Sequence, residues 1–310
     1  MKLAQNYLPK CQAAAAQPAR AIRWACFIGC CVMMSTFRAT ATETRVAEPV
    51  ISLRILETKT GVRFGLWGKP LSRPAPTLII LASTVEATLE DAYFRQAGTV
   101  LAEQGYLCVS IDLPAHGPQQ KSGEPTGLDG WRYRVDHGED FVGENNRRLA
   151  QVLDHLIAAG YTDAARIAIC GTSRGGFLAL HFAAFDPRVV GVAAFAPVTD
   201  LRVLREFQGS GINPLLSALG LTEQAAQLAG RAVWVSIGDR DTRVGTDEAI
   251  ALVRRVSAAA QAQGLNARAE LHVLPEPRGH TTPTGAPEQA AQWINRQLKV
   301  TASDVQGVRK

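Results

Sequence analysis

One serine stands at the centre of a Gly-x-Ser-x-Gly pattern, Gly171-Thr172-Ser173-Arg174-Gly175, between a short apolar run and a helical pattern that follows almost without a loop. A strand entering a helix so abruptly must turn sharply, which strains the residue at the apex and leaves room beside it only for glycine. Such a turn also lifts the hydroxyl clear of the sheet edge. A serine hydroxyl is a weak nucleophile at neutral pH, so nucleophilic chemistry here requires a histidine to take its proton and a carboxylate to orient that histidine. The structural alternative is a tight turn with an incidental serine.

Both partners have candidates. The segment "SIGDRDTRVGTDEA" directly follows an apolar run, and "LPEPRGHTTPTGAPEQAAQWI" joins the last such run to the last helical pattern. Asp241 and His280 therefore fall on loops beyond the carboxyl ends of strands, the edge where the serine turn also lies. The chain order Ser173, Asp241, His280 is the serine, acid, histidine order found when this turn is catalytic. Asp239 and Asp200 (in "APVTDL") compete for the acid's place, with loop and helix capping as their alternative role. His116 in "PAHG" is a candidate for substrate contact, whereas His137, His155, His181 and His272 read as structural. Arg174 could bind a substrate carboxylate or pair with Glu139 or Asp140. No cluster has metal-ligand spacing and "GTSRGG" lacks the ending of a phosphate-binding loop, so no metal or cofactor is expected.

The elements that must position these residues alternate as a parallel sheet with crossover helices requires. An opening hairpin ("ISLRILET", "RFGLWG") precedes six mostly apolar strands at 77 to 82, 106 to 112, 166 to 170, 191 to 197, 232 to 238 and 269 to 274. Helical patterns cover roughly 87 to 104, 144 to 159, 175 to 185, 247 to 263 and 287 to 299. Two connections are long, 113–143 and 198–231, and are expected to be lid-like walls of a substrate site.

The 310 residues carry 33 Lys and Arg against 28 Asp and Glu. Five of the basic residues and none of the acidic ones lie in residues 1–41, so the remainder is neutral and lacks the basic excess of a nucleic-acid-binding surface. Residues 1–41 have the basic, apolar and small-x-small order of a signal peptide, ending at Ala39-Thr40-Ala41. Export to the periplasm or medium is expected, with a single domain over 42–310 and no stable membrane insertion once the leader is cleaved. The alternative is an anchor through residues 24–37. Four of the six cysteines fall in this leader, leaving Cys108 and Cys170 in strands.

Four motifs in order, "GYLCVSIDLPAHG", "GTSRGG", "GDRDTRV" and "RGH", give residues 50 to 300 a resemblance to the α/β-hydrolases, in the dienelactone hydrolase and prolyl oligopeptidase-like branch. The resemblance implies a mostly parallel eight-stranded sheet with helices on both faces and short lid-like insertions. It also implies an oxyanion hole made by the backbone N–H groups of Thr84 and Arg174, although Ala82-Ser83-Thr84 replaces the His-Gly of many members. In the family's strand order the 77 to 82 strand separates Cys108 from Cys170 by about 9 to 10 Å, too far for a disulfide. Fewer than 40 residues separate the expected cleavage site from the third strand, so the oligopeptidases' propeller is not expected and an esterase is expected over a peptidase. The expected function is hydrolysis of a carboxylic ester, on a small molecule or a polymer, through an acyl-enzyme. The alternatives are a peptidase and a catalytically silent binding protein.

Overall fold

The computed structural model describes residues 51–69 and 74–307, which belong to one compact unit running from Glu48. The expected leader, 1–41, and the alternative anchor, 24–37, lie outside the described residues. Eight strands form one sheet: β1 (Ser52–Glu57), β2 (Arg63–Gly68), β3 (Ala75–Leu81), β4 (Leu107–Ile111), β5 (Thr162–Thr172), β6 (Val189–Phe195), β7 (Ala232–Gly238) and β8 (Ala269–Leu274). Their order across the sheet is β1-β2-β4-β3-β5-β6-β7-β8. β2 is antiparallel to both of its neighbours, and every pairing from β4 to β8 is parallel.

The helices are α1 (Val85–Glu90), α2 (Ala92–Arg95), α3 (Ala97–Glu103), α4 (Gly127–Asp136), α5 (Phe141–Ala158), α6 (Arg174–Phe185), α7 (Pro214–Ala218), α8 (Ala225–Leu228), α9 (Thr246–Ala262) and α10 (Ala286–Gly307). Because side chains alternate across a strand, each central strand feeds two cores. In β3, Ile79 and Leu81 join the layer of α5, α6 and α9, while Leu78 and Ile80 join that of α3 and α10. This two-sided burial is why the parallel strands read as unbroken apolar runs.

Two expectations about local structure change. The pattern at 87 to 104 is three short helices, because Gln96 takes a left-handed backbone (φ 48°) between α2 and α3. The segment 113–143 contains all of α4, whose Trp131 is fully buried and donates from its indole N–H to the Pro114 carbonyl at 2.7 Å. The segment 198–231 carries only short turns of helix, including α7 and α8. β3 lies between the strands bearing Cys108 and Cys170, and both thiols are buried and unbridged.

Candidate active site

Ser173 sits where β5 gives way to α6, with φ 54° and ψ −116°, a conformation a non-glycine residue holds only when its surroundings enforce it. The enforcement is visible. Its N–H donates to the Phe195 carbonyl at 2.9 Å, and its own carbonyl accepts from Val198 N at 3.1 Å. Gly171 and Gly175 make the turn possible: a Cβ on Gly171 would stand 2.3 Å from the Gly175 carbonyl oxygen, and one on Gly175 would stand 1.8 Å from that of Leu81. Both contacts are with backbone, so neither can be relieved by a side-chain rotation.

Three expected residues come together across the sheet's carboxyl edge. His280 Nε2 lies 2.9 Å from Ser173 Oγ, and His280 Nδ1 lies 2.8 Å from Asp241 Oδ2. The Asp241 carboxylate is fully buried, whereas the His280 side chain keeps 28% exposure. The other oxygen of Asp241, Oδ1, accepts from the backbone N–H of Arg243 (3.0 Å) and Val244 (3.2 Å), which fixes the plane of the carboxylate. Asp239 instead accepts the Glu276 N–H at 3.0 Å, bracing the histidine loop. Asp200 caps its own turn and holds Arg202 through both carboxylate oxygens.

The remaining predicted residues are distributed unevenly. The N–H of Arg174, the first residue of α6, lies at the positive end of the helix where the first amides lack intrahelical partners. The Thr84 N–H is taken by Ser83 Oγ at 2.6 Å while the Thr84 side chain caps α1, so an oxyanion could use that amide only by displacing the serine hydroxyl. Arg174 does not pair with Glu139 or Asp140. Glu139 binds Lys121, and Asp140 caps α5 through the Gly143 N–H at 2.8 Å. His116 is buried, its Nδ1 is 2.8 Å from the Pro114 carbonyl, and burial holds its pKa down at about 4.

Three supporting groups have no mark in the sequence. Gln96 is buried, and its Nε2 donates to Thr172 Oγ1 and Thr282 Oγ1, both at 2.9 Å, tying the serine turn to the histidine loop. Tyr93 adds a second tie, its hydroxyl accepting the Thr282 N–H at 3.2 Å. In a helical pattern Gln96 reads as one more polar surface position. Glu206, which holds Arg243 at 2.7 and 2.8 Å, is equally unmarked.

Sheet order, strained serine turn and helices on both faces are those of an α/β-hydrolase. Residues 127–301 match the prolyl oligopeptidase family, and the chain belongs to it. No curated protein matches it by sequence. Among solved structures it is similar to a Bacteroides ovatus protein assigned as a dipeptidyl aminopeptidase IV (TM-score 0.60, 14% identity, covering 81% of this chain and 36% of that one). It is also similar to acetyl xylan esterase 1 from Thermoanaerobacterium (0.53, 19%, 82% and 89%). Oligopeptidase B from Leishmania major is a third (0.56, 15%, 82% and 37%). The chain thus spans little more than a third of the two peptidases and most of the esterase.

Proposed function

We propose that the protein hydrolyses carboxylic esters, with Ser173 as nucleophile, His280 as general base and Asp241 as its orienting carboxylate. The observation that carries this reading is the unbroken hydrogen-bonded chain from Ser173 Oγ through both nitrogens of His280 to Asp241. With the Asp241 carboxylate accepting at Nδ1, that nitrogen carries the proton and Nε2 presents its lone pair to the serine hydroxyl. Ser173 Oγ then attacks the ester carbonyl as its proton passes to His280. The tetrahedral oxyanion meets the Arg174 N–H at the start of α6, and the imidazolium returns its proton to the departing alkoxide. Water, deprotonated by His280 in the same way, releases the acid.

Esterases stand among the similar solved structures, and this supports the ester over the peptide reading. Family membership keeps peptide hydrolysis as the second reading. The test is labelling of Ser173 with a fluorophosphonate, followed by a comparison of 4-nitrophenyl acetate with peptide anilides. Turnover of the ester with at least a hundredfold lower kcat/KM on the anilides is expected. Absence of labelling would refute the reading, and efficient anilide cleavage would transfer it to the peptidase.

A further inference from the structure

Arg174 stands apart from the other cations. Among the described lysines and arginines, it is the one that is partly buried and yet has no hydrogen bond, ion pair or aromatic partner. Burial and the neighbouring Arg243 guanidinium lower its pKa from the ordinary arginine value. Glu206 is the acid that faces this pair, and both its carboxylate oxygens are engaged by Arg243. Arg205 also donates to Glu206 Oε1 at 3.3 Å, so three guanidinium groups surround one carboxylate, leaving a surplus positive charge on the residue after the nucleophile.

The surplus charge lies beside the start of α4. Arg174 Nη1 lies 3.5 Å from the point a Cβ on Gly127 would occupy, and His116 Nε2 lies 3.8 Å from that same point. Gly127 opens α4, and α4 is fastened to the other insertion by Arg132, which donates to the carbonyls of Glu206 (3.3 Å) and Gln208 (3.0 Å). His116 is only 7% exposed, and its Nε2 is buried without a partner. Because Nδ1 faces the Pro114 carbonyl, it must carry the ring's proton, so Nε2 offers a lone pair that can only accept. A buried acceptor left unmatched beside an uncompensated guanidinium describes a ligand with complementary groups: an anion and a hydroxyl.

We propose that Arg174 binds a free carboxylate of the substrate and that His116 Nε2 accepts from a hydroxyl next to it, so that the natural ester contains a hydroxylated carboxylic acid. The planar guanidinium suits a carboxylate better than a point charge does. This substrate class rests on the ester reading above.

Two measurements test it. The first is the ratio of kcat/KM for 4-nitrophenyl hemiglutarate to that for 4-nitrophenyl pentanoate, which replaces the carboxylate by a methyl group. The wild-type ratio should exceed ten, fall at least tenfold in Arg174→Met and be partly kept in Arg174→Lys. The second, independent of turnover, is calorimetry with glutarate and 3-hydroxyglutarate. Both should bind the wild type, the hydroxylated acid more tightly. Arg174→Met should weaken both at least tenfold, and His116→Phe should erase the advantage of the hydroxyl. A wild-type ratio near one without glutarate binding overturns the carboxylate site while leaving ester hydrolysis standing. Equal binding of the two acids overturns the role of His116. Binding that depends on Arg174 in a protein that turns over neither ester upholds the subsite and removes the ester reading.

Discussion

Replacing Asp241 by asparagine isolates one electrostatic contact. Oδ1 of Asp241 is held by the backbone N–H groups of Arg243 and Val244 at 3.0 and 3.2 Å, so an asparagine must keep its carbonyl oxygen there and turn its NH2 towards His280. The amide then donates to Nδ1, the ring proton moves to Nε2, and His280 faces Ser173 Oγ without a lone pair. The imidazolium formed during attack also loses its counter-charge. At a charge separation of about 4 Å and an effective dielectric constant of about 20, that attraction is about 4 kcal/mol, or about three decades in rate. With the tautomer penalty added, kcat on 4-nitrophenyl acetate should fall about 10³- to 10⁴-fold. The two backbone hydrogen bonds survive, so the thermal midpoint should move by only a few degrees. Rates are normalised by fluorophosphonate titration of the parent enzyme. Asp239→Asn and Asp200→Asn should stay within about tenfold, because their carboxylates brace loops and do not reach the imidazole. If Asp241→Asn keeps more than a tenth of wild-type turnover, or if either control is the crippled enzyme, the assignment of the acid is wrong.

Gln96→Leu removes two buried hydrogen bonds and should lower stability by about 2 kcal/mol. Because those bonds tie the nucleophile turn to the histidine loop, kcat should fall more than KM rises, and a purely structural role would leave kcat per folded molecule unchanged. Burial holds the pKa of both His116 and His181 down at about 4 from an ordinary 6.5. The unfolded chain therefore binds these protons first on acidification. Their contribution is complete above pH 6.5 and is lost as pH falls towards 4, by on the order of a few kcal/mol each. Stability measured across that window, with the His181 ring followed by NMR, checks the sign; a midpoint near 6.5 for His181 contradicts it.

Much of this protein is legible before any coordinate is seen. The parallel strands are nearly continuous apolar runs because both their faces are covered, and that pattern needs no tertiary knowledge to read. The serine turn is equally legible, since the steric demands of a strand running straight into a helix admit only glycine at 171 and 175. Their positions directly after apolar runs already put Ser173, Asp241 and His280 at one edge of the sheet. Three-dimensional packing decided what order could not. Asp239 and Asp241 are two residues apart and chemically identical, and only the path of the loop gives one to Glu276 and the other to His280. Gln96 reaches Thr282 across 186 residues, a contact with no local signature. Arg174 was ambiguous in sequence because its partners depend on where two long insertions settle. They settle with Glu139 on Lys121, Asp140 on its own helix and Glu206 on Arg243, which leaves the guanidinium beside the nucleophile unpaired. Local sterics write themselves into sequence as residue types at fixed spacing. Pairings between distant loops do not, because any of several acids could satisfy the same cation until the fold chooses the distance.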